Sequence, residues 1–277
     1  MRKIIVGCFL GISSALAFSV DNTAFQAFDD EYNIGYGVAN TEFTNGAGDQ
    51  TLQQSQFITL EVERLFDMGI WMDVGANMVL SQNSLGNQAT GTGQGNSGIA
   101  SYPGMPASQD PNFGGVNIKV GYAFPILPEH LQVTPYGLVG RNTNMAMSTI
   151  VSNGYANVTN DYYYTGGLGG RIEYRINNYI LVYGDQLASY NWDQSAPVGG
   201  VQPQNNMLFV STLGAKFNVV KNLQLGINGF YSNYQAEASA PSPTPSNNGG
   251  TNSNGDLVTI YQPTSAFGGV VTIGLTY

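Results

Sequence analysis

The chain contains almost no cysteine or histidine: Cys8 and His130 are the only residues of these types among 277. Because Cys8 falls in the N-terminal leader described below, neither disulfides nor thiol chemistry are predicted for the rest of the chain. His130 ends the short connection "PILPEH", where a role in a turn is expected rather than acid–base catalysis. We therefore predict a protein that is not an enzyme, with no catalytic residues, no bound cofactor and no metal site.

Long apolar runs are also missing, except at the N-terminus. There, two basic residues precede an apolar stretch from Ile4 to about Leu16, and small residues surround a cut after Ala17. This arrangement predicts a signal peptide over residues 1–17, which is removed on secretion. No run of about 18 apolar residues follows, so no membrane-spanning helix is expected in the mature chain.

Basic residues are scarce. The sequence has nine Lys and Arg against 18 Asp and Glu, and Arg2 and Lys3 belong to the predicted signal peptide. The mature chain thus has seven basic and 18 acidic side chains, a formal net charge of −11. So acidic a surface is not expected to bind nucleic acid. A secreted chain without cysteine is more typical of the bacterial envelope than of an extracellular disulfide scaffold.

Alternation of apolar and polar residues is the dominant pattern of the mature chain, and no helical period competes with it. A period of two predicts β-strands. It occurs in ten stretches: residues 32–43, 54–66, 70–80, 116–124, 131–145, 162–176, 179–192, 207–217, 223–234 and 260–277. Strands of this length cross a bilayer when tilted, and an even number suits a closed up-and-down barrel. The predicted fold class is all-β: a transmembrane antiparallel β-barrel of about ten strands over residues 31–277.

Two kinds of connection alternate between these stretches. The short ones are residues 66–69, 125–130, 176–178 and 219–222. The long, polar ones are residues 44–53, 81–112, 146–161, 193–206 and 235–259, and they carry only acidic charge. This alternation predicts short periplasmic turns at one rim of the barrel and long extracellular loops at the other.

The alternation also assigns side chains to the two faces of each strand. In residues 162–176 the even positions are mostly apolar and are predicted to face lipid, whereas the charged Arg171, Glu173 and Arg175 face the lumen. A cation on the lipid face costs about 2–4 kcal/mol at the bilayer midplane, which enforces this choice. The same rule predicts a lumenal charge network of Glu61, Glu63, Asp73, Lys119, Arg141, Arg171, Glu173, Arg175, Asp185 and Lys216.

The predicted network contains five cations and five carboxylates. Opposite charges in a narrow barrel are expected to pair, because an isolated buried charge is costly. We therefore predict ion pairs that fill or constrict the lumen. The alternative is a working pore whose ion selectivity these residues set.

Glycine and aromatic positions fit the same barrel. The glycines of "TGGLGG", residues 165–170, are expected to make room for neighbouring lumenal side chains or rings. Tyr190 and Trp192 stand beside a long loop, whereas Phe66 and Tyr122 stand beside short turns. These rings predict two aromatic girdles at the membrane interfaces.

The last ten residues, "GGVVTIGLTY", alternate apolar residues and end on the ring of Tyr277. With the leader, the amphipathic strands and the alternating connections, the mature chain resembles the small outer-membrane β-barrel proteins of Gram-negative bacteria, including the opacity-type proteins. The resemblance implies a location in the cell outer membrane, surrounded by its lipid. It also implies an insertion signal at Ile273, Leu275 and Tyr277 that the barrel-assembly machinery reads, although Thr272 stands where glycine is usual.

Two functions are compatible with such a barrel. The first is a surface-exposed structural or interaction protein, adhesin-like, whose long loops contact a host or cell-surface partner. The alternative is a narrow, weakly cation-preferring, porin-like channel, which the acidic loops favour. The sequence leaves open whether the N-terminal segment, residues 18–30, lies in the periplasm or in the lumen.

Overall fold

The computed structural model of the chain describes residues 23–45, 50–85, 112–144, 148–152, 155–157, 161–193, 206–236, 249–251 and 257–277. The predicted signal peptide and most of the long connections lie outside these ranges. Within them, every helix is too short or too polar to span a bilayer.

One helix and fourteen strands make up the described chain. The helix, α1, covers Thr23–Asp29. The strands are β1 (Glu31–Asn45), β2 (Gln50–Leu65), β3 (Ile70–Leu85), β4 (Asn112–Tyr122), β5 (Phe124–Leu127), β6 (Leu131–Asn144), β7 (Ser148–Ser152), β8 (Tyr155–Asn157), β9 (Asp161–Asn177), β10 (Ile180–Asp193), β11 (Asn206–Val220), β12 (Leu223–Ala236), β13 (Gly249–Thr251) and β14 (Leu257–Thr276).

The ten long strands form one closed barrel. Each pairs antiparallel with its neighbours in the order β1, β2, β3, β4, β6, β9, β10, β11, β12, β14. Strand β14 then returns to β1, with Thr276 opposite Glu31. A closed sheet leaves no unpaired backbone edge, which strands surrounded by lipid require. The predicted all-β, antiparallel barrel of ten strands is confirmed.

The barrel has a turn end and a loop end. At the turn end the strands are joined by the predicted short connections, and the backbone N–H of Tyr277 lies 3.3 Å from the carbonyl oxygen of Asp30. At the loop end several strands are longer than predicted, for example β3, which continues to Leu85. The short strands β7 and β13 pair with the first residues of β14 there, and β8 pairs with β7.

Side chains alternate between a polar interior and an apolar outward face. In β9, Arg171 and Glu173 are buried, whereas Leu168 and Ile172 are 75% and 54% exposed on the surface that lipid covers. In β1, the outward Tyr32, Ile34, Tyr36 and Val38 alternate with inward residues in the same way. The lipid face predicted from the alternation is therefore confirmed in these strands.

Aromatic rings lie on the outward face near both ends of the barrel. At the loop end, the centroids of the Tyr164 and Trp192 rings lie 6.4 Å apart. At the turn end, Tyr122 and Phe124 lie 4.7 Å apart, and Tyr32 lies 5.0 Å from Tyr277. These two bands occupy the positions of the predicted interfacial girdles.

Helix α1 was not predicted, because no helical period was found in the mature chain. Its seven residues hold two phenylalanines three positions apart, Phe25 and Phe28. A single turn of apolar spacing is too short to stand out as a helical period. A helix of this length is also unstable by itself, so its structure depends on the barrel around it.

Among the glycines of residues 165–170, Gly169 makes room for a lumenal ring, as predicted. A Cβ added to Gly169 of β9 would overlap the ring of Tyr136 on β6. A Cβ added to the next residue, Gly170, would meet nothing within 4 Å. The tyrosine ring therefore takes the space that a side chain at Gly169 would fill.

Replacing Gly169 by valine is expected to lower the free energy of unfolding by about 1–3 kcal/mol, because the new side chain displaces the Tyr136 ring. Gly170→Val is the matched control: it adds the same volume one residue away, and a change within about 0.5 kcal/mol is expected. Urea unfolding of the refolded barrel, followed by tryptophan fluorescence, measures both variants. Equal losses in the two variants would show that the ring contact is not responsible.

Candidate functional site

Helix α1 fills the turn end of the lumen. Phe25 and Phe28 are fully buried. They form one apolar cluster with the inward-facing side chains of Leu65, Trp71, Ala123, Tyr136, Leu138 and Leu181. Burying a phenylalanine contributes about 1.5–3 kcal/mol, so these two rings anchor the helix inside the barrel. The sequence leaves two locations open for residues 18–30, the periplasm and the lumen. The helix at residues 23–29 lies in the lumen.

Polar side chains of the barrel bind the C-terminal end of α1. Lys216 Nζ donates to the carbonyl oxygen of Phe28 at 2.9 Å, and Asn218 Nδ2 donates to that of Ala27 at 3.1 Å. Gln224 Nε2 lies 3.4 Å from the Phe28 oxygen. The last carbonyls of a helix have no partner within it, and a cation suits the negative end of the helix dipole. The barrel therefore supplies the cap that α1 lacks.

A group of buried charges lies directly against α1. This charge cluster consists of Asp29, Glu31, Glu63, Arg171, Glu173 and Lys216, and each of the six residues is at most 5% exposed. The members come from α1, β1, β2, β9 and β11, so the cluster joins the helix to four strands of the barrel.

Arg171 pairs with two carboxylates of the charge cluster. Its Nη1 donates to Glu63 Oε1 at 2.8 Å, and its Nη2 lies 2.8 Å from Glu173 Oε1. The guanidinium carbon lies 4.4 Å from the centroid of the Tyr183 ring, a cation–π contact. Trp71 Nε1 donates a further hydrogen bond of 2.7 Å to Glu63 Oε1. The guanidinium is thus held between acidic and aromatic groups.

Lys216 contacts the remaining carboxylates of the cluster. Its Nζ donates to Glu63 Oε2 at 2.7 Å, and it lies 2.8 Å from Glu31 Oε1 and 3.3 Å from Asp29 Oδ1. Glu63 therefore bridges the two cations, Lys216 and Arg171. Four carboxylates and two cations leave the cluster with a net negative charge.

The excess of negative charge affects Asp29. Burial raises the pKa of the Asp29 carboxyl well above its usual range, the Glu173 carboxylate raises this pKa further, and the Lys216 ammonium opposes the rise. Oxygens of Asp29, Glu63 and Glu173 also lie within 4.8 Å of one another, a spacing that can suit a metal ion. The ammonium of Lys216 and the guanidinium of Arg171 already neutralise part of this charge.

A second group of charges lies nearer the loop end. Lys119 Nζ donates to Asp73 Oδ2 at 2.8 Å. The hydroxyl of Tyr136 donates to Asp185 Oδ1. In the part of the chain that the structure describes, no Lys or Arg nitrogen lies within 4.0 Å of a carboxylate oxygen of Glu61 or Asp185.

Both groups of charges line a cavity of about 320 Å³ in the lumen. Glu63, Arg171 and Lys216 of the charge cluster form its floor, and Glu61 and Asp185 belong to its walls. Helix α1 contributes no side chain to the lining, because the charge cluster separates the helix from the cavity. We refer to this space as the lumenal cavity.

Eight of the ten residues of the predicted network face the lumen in these two groups: Glu61, Glu63, Asp73, Lys119, Arg171, Glu173, Asp185 and Lys216. Arg175 lies on the inward phase of β9, opposite Leu181. Its guanidinium turns away from the charge cluster, however, and donates to the carbonyl oxygen of Glu129 at 3.1 Å and to Asn178 Oδ1. Arg175 is therefore a residue of the turn-end rim.

Arg141 does not face the lumen, which corrects the prediction. It pairs with Val116 of β4 and Tyr164 of β9, which both lie on the outward phase. It is exposed and lies three residues before Asn144, where β6 ends at the loop end. The cost of a lipid-facing cation falls to about 0–1 kcal/mol near the membrane interface, so the rule that places charge inside does not hold at the rim.

Four residues of the site were not predicted from the sequence: Asp29, Glu31, Trp71 and Gln132. Glu31 could have been found, because the alternating outward residues that follow it in β1 place it inside. Gln132 Nε2 donates to Glu173 Oε2 at 2.7 Å and lies 3.4 Å from Asp29 Oδ2. No periodicity marks Asp29, since its position depends on the docking of α1.

The equal numbers of lumenal cations and carboxylates predicted from the sequence do not occur. The two groups contain seven carboxylates, namely Asp29, Glu31, Glu61, Glu63, Asp73, Glu173 and Asp185. They contain three cations, namely Lys119, Arg171 and Lys216. The described interior therefore has a clear excess of acidic groups.

Ile273 and Leu275 of the predicted insertion signal lie on the outward face of β14, and Tyr277 follows the last residue of that strand. Ile273, Leu275 and Tyr277 are exposed, whereas Thr272 faces inward and is buried. In β1 their partners include Ile34, opposite Ile273. Recognition of these residues by the barrel-assembly machinery stays a prediction.

Comparison with known proteins finds similar folds but no similar sequences: no family model and no curated protein matches the chain. The β-domain of the Bordetella autotransporter BrkA shares 11% identity with it over 90% of this chain and 100% of that one, with a TM-score of 0.48. The COG4313 outer-membrane channel from Pseudomonas putida F1 shares 11% identity over 93% and 100% of the two chains, with a TM-score of 0.46. The outer-membrane protease OmpT from Escherichia coli shares 11% identity over 90% of this chain and 98% of that one, with a TM-score of 0.43.

The closed sheet, the apolar outward face and the two aromatic bands define the class of protein. The chain is a β-barrel of the kind that spans the outer membrane of Gram-negative bacteria. Membership of the opacity-type family stays a prediction, and so does the absence of enzymatic activity. His130 lies in an exposed turn, with Nδ1 3.1 Å from the carbonyl oxygen of Arg175.

Proposed function

We propose that the protein is a structural or interaction protein of the bacterial surface, adhesin-like, in which a non-conducting barrel carries the long loops. The observation that supports this proposal is the filled turn end of the lumen. A solute that crossed the barrel would have to displace Phe25 and Phe28 and break the ion pairs of Arg171 and Lys216. The outer-membrane lipid surrounds the barrel, the assembly machinery inserts it, and a partner on another surface binds the loops.

Conductance of the refolded mature chain, residues 18–277, tests whether the barrel is closed. In a planar bilayer, at several salt concentrations, no discrete current steps are expected. Heat-modifiable mobility on a gel verifies that the inserted barrel is folded. Regular steps from folded protein would contradict the non-conducting part of the proposal.

Excision of loops tests the interaction part of the proposal. Residues 86–111 and 237–248 can each be replaced by a glycine–serine linker of about eight residues, separately and together, which is long enough to leave strands β3, β4, β12 and β13 in place. Bacteria that display the protein are expected to adhere to an epithelial cell layer, and the double excision should reduce adherence to the level of cells without the protein. If a double-excision variant assembled and adhered as well as the unmodified protein, these loops would not be what binds the partner.

A narrow, weakly cation-preferring channel is the second candidate. The observation in its favour is the acidic lining of the lumenal cavity, where Glu61 and Asp185 have no paired cation among the described residues. Rings of carboxylates favour cations in channels. This function requires α1 to leave the lumen.

A further inference from the structure

The lumenal cavity has the dimensions of a small-molecule site. Its volume of about 320 Å³ falls within the range of about 300–1,000 Å³ that is usual for ligand pockets. The charge cluster closes it toward the turn end, so it is a pocket with a floor. The described residues that line it all belong to barrel strands, so a ligand site here does not rely on the loop contacts proposed above.

The cavity carries more negative than positive charge. Its lining includes the five carboxylates of Glu31, Glu61, Glu63, Asp73 and Asp185 and the three cations of Lys119, Arg171 and Lys216. Arg171 and Lys216 pair within the charge cluster, and Lys119 pairs with Asp73. The carboxylates of Glu61 and Asp185 are left without an ion-pair partner in the described chain.

A buried oxygen in the same lining also lacks a donor. Asp73 is 2% exposed, and its Oδ2 accepts from Lys119, but its Oδ1 has no hydrogen-bond partner among the residues that the structure describes. A buried acceptor without a donor costs about 1–3 kcal/mol. An additional cationic donor in the cavity would reduce this cost and the charge imbalance together.

The two unpaired carboxylates lie on opposite walls. Strand β2, which carries Glu61, and strand β10, which carries Asp185, are five strands apart in either direction around the barrel. A metal ion instead requires oxygens that converge at about 2.0–2.6 Å from one centre. In the described chain the three carboxylates that come together in this way, Asp29, Glu63 and Glu173, belong to the charge cluster. The cavity suits a ligand with two separated positive charges.

Apolar side chains complete the lining. Leu138 of β6, Leu187 of β10 and Val210 of β11 contribute to it, together with the ring of Phe230 on β12. A hydrocarbon chain can pack against these groups, at about 0.8 kcal/mol per buried methylene. A hydrated metal ion would not use this apolar surface.

We propose that the lumenal cavity binds a linear aliphatic diammonium, a hydrocarbon chain with a protonated amine at each end. One ammonium donates to the carboxylate of Glu61 and to Asp73 Oδ1 on the neighbouring strand, and the other pairs with Asp185. The methylene chain packs on Leu138, Leu187 and Val210. The ligand supplies cationic donors to two acidic side chains that have no ion-pair partner in the described chain.

Isothermal titration calorimetry of the folded mature chain tests the proposal. The probe is 1,5-diaminopentane at moderate salt, compared with 1-aminopentane, with 1,5-pentanediol and with magnesium chloride. The diamine is expected to bind about tenfold more tightly than the monoamine, since a second charge-assisted hydrogen bond is made. The uncharged diol is expected not to bind. A series of diamines from three to eight carbons should show one preferred length, because the two carboxylates are fixed on opposite walls.

Variants assign the binding to the cavity. Glu61→Gln and Asp185→Asn keep the side-chain volumes, and each is expected to reduce diamine affinity about tenfold, to the level of the monoamine. Glu129→Gln, at an exposed turn outside the cavity, is the matched control and should bind as the unmodified chain does. Gel mobility verifies the fold of each variant. The series of diamines is measured on the unmodified chain, so it tests the proposal even where a variant fails to fold.

Several results would overturn the proposal. Among the ligands, these are tighter binding of magnesium than of diamine, equal binding of diamine and monoamine, and a diamine affinity that does not depend on the length of the diamine. Among the variants, it is a loss of binding in Glu129→Gln as large as in Glu61→Gln. Absence of binding heat from a folded barrel at millimolar diamine, together with no shift in its unfolding temperature, would overturn it as well.

Discussion

Replacing Arg171 by alanine is expected to lower the free energy of unfolding of the barrel by about 3–5 kcal/mol, because it leaves buried carboxylates without their cation. Glu173 is affected most, because after the change it keeps only the hydrogen bond of 2.7 Å from Gln132 Nε2 among the contacts described above. Glu63 keeps the ammonium of Lys216 at 2.7 Å and the indole N–H of Trp71. The loss is therefore mainly the cost of an unpaired Glu173.

Arg175→Ala is the matched control for this change. Arg175 lies on the same strand and the same inward phase as Arg171, but it contacts a carbonyl oxygen and an amide oxygen at the exposed rim. A change of about 0–1 kcal/mol is expected for it, as for exposed polar contacts. Urea unfolding of the refolded chain in detergent measures both variants, with tryptophan fluorescence as the signal.

A double variant separates charge pairing from lost packing. Arg171→Met with Glu173→Gln removes a cation and its most dependent carboxylate together while nearly retaining volume. Replacing a buried pair in this way is often neutral or stabilising, so the double variant is expected to be more stable than Arg171→Ala. If Arg171→Ala and Arg175→Ala lost equal stability, or if the double variant recovered nothing, charge pairing would not be what Arg171 contributes.

The strands and their faces could be predicted because lipid imposes one rule on every residue of the barrel. In β9, a period of two places Arg171 and Glu173 inside and Leu168 and Ile172 outside, and the structure agrees. The rule follows from the cost of charge in hydrocarbon, which depends on depth. It does not hold for Arg141, because the end of β6 is too close to the interface for that cost to apply.

The contents of the lumen could be predicted only in part. Alternation shows that Lys216 faces inward, but it does not show what Lys216 contacts across the barrel. Its partners Asp29 and Glu63 lie 187 and 153 residues away in the sequence. The docking of α1 depends on the fit of Phe25 and Phe28 among lumenal side chains of several strands, which no local pattern records. Asp29 thereby joins the site and changes its charge balance.

Replacing both Phe25 and Phe28 by alanine is expected to release α1 from the lumen and to produce discrete, cation-favouring current steps where the unmodified chain is silent. Each truncation of a buried phenylalanine costs about 3–5 kcal/mol. Helix α1 has seven residues and no stability of its own, so the lost packing destabilises the docked helix and not the barrel strands. Planar-bilayer conductance of the refolded chain is the measurement.

The control variant is Phe124→Ala with Phe267→Ala, which removes two rings from the outward face. Both are exposed to the surrounding lipid, at 42% and 50%, and neither belongs to the cluster that holds α1. This variant is expected to stay silent. Current steps of equal frequency in both variants would mean that a leaking, poorly folded barrel, and not the departure of α1, carries the current.

Silence of a folded Phe25→Ala/Phe28→Ala barrel would show that α1 is not the barrier to ions. The ion pairs of Arg171 and Lys216, which remain after the helix leaves, would then be the barrier, and adding Arg171→Ala should open the lumen. Cation preference is expected in either case, because the three lumenal cations face an excess of carboxylates, with Glu61 and Asp185 unpaired on opposite walls. A barrel that opens but favours anions would contradict this charge assignment, and with it the channel function as a second candidate.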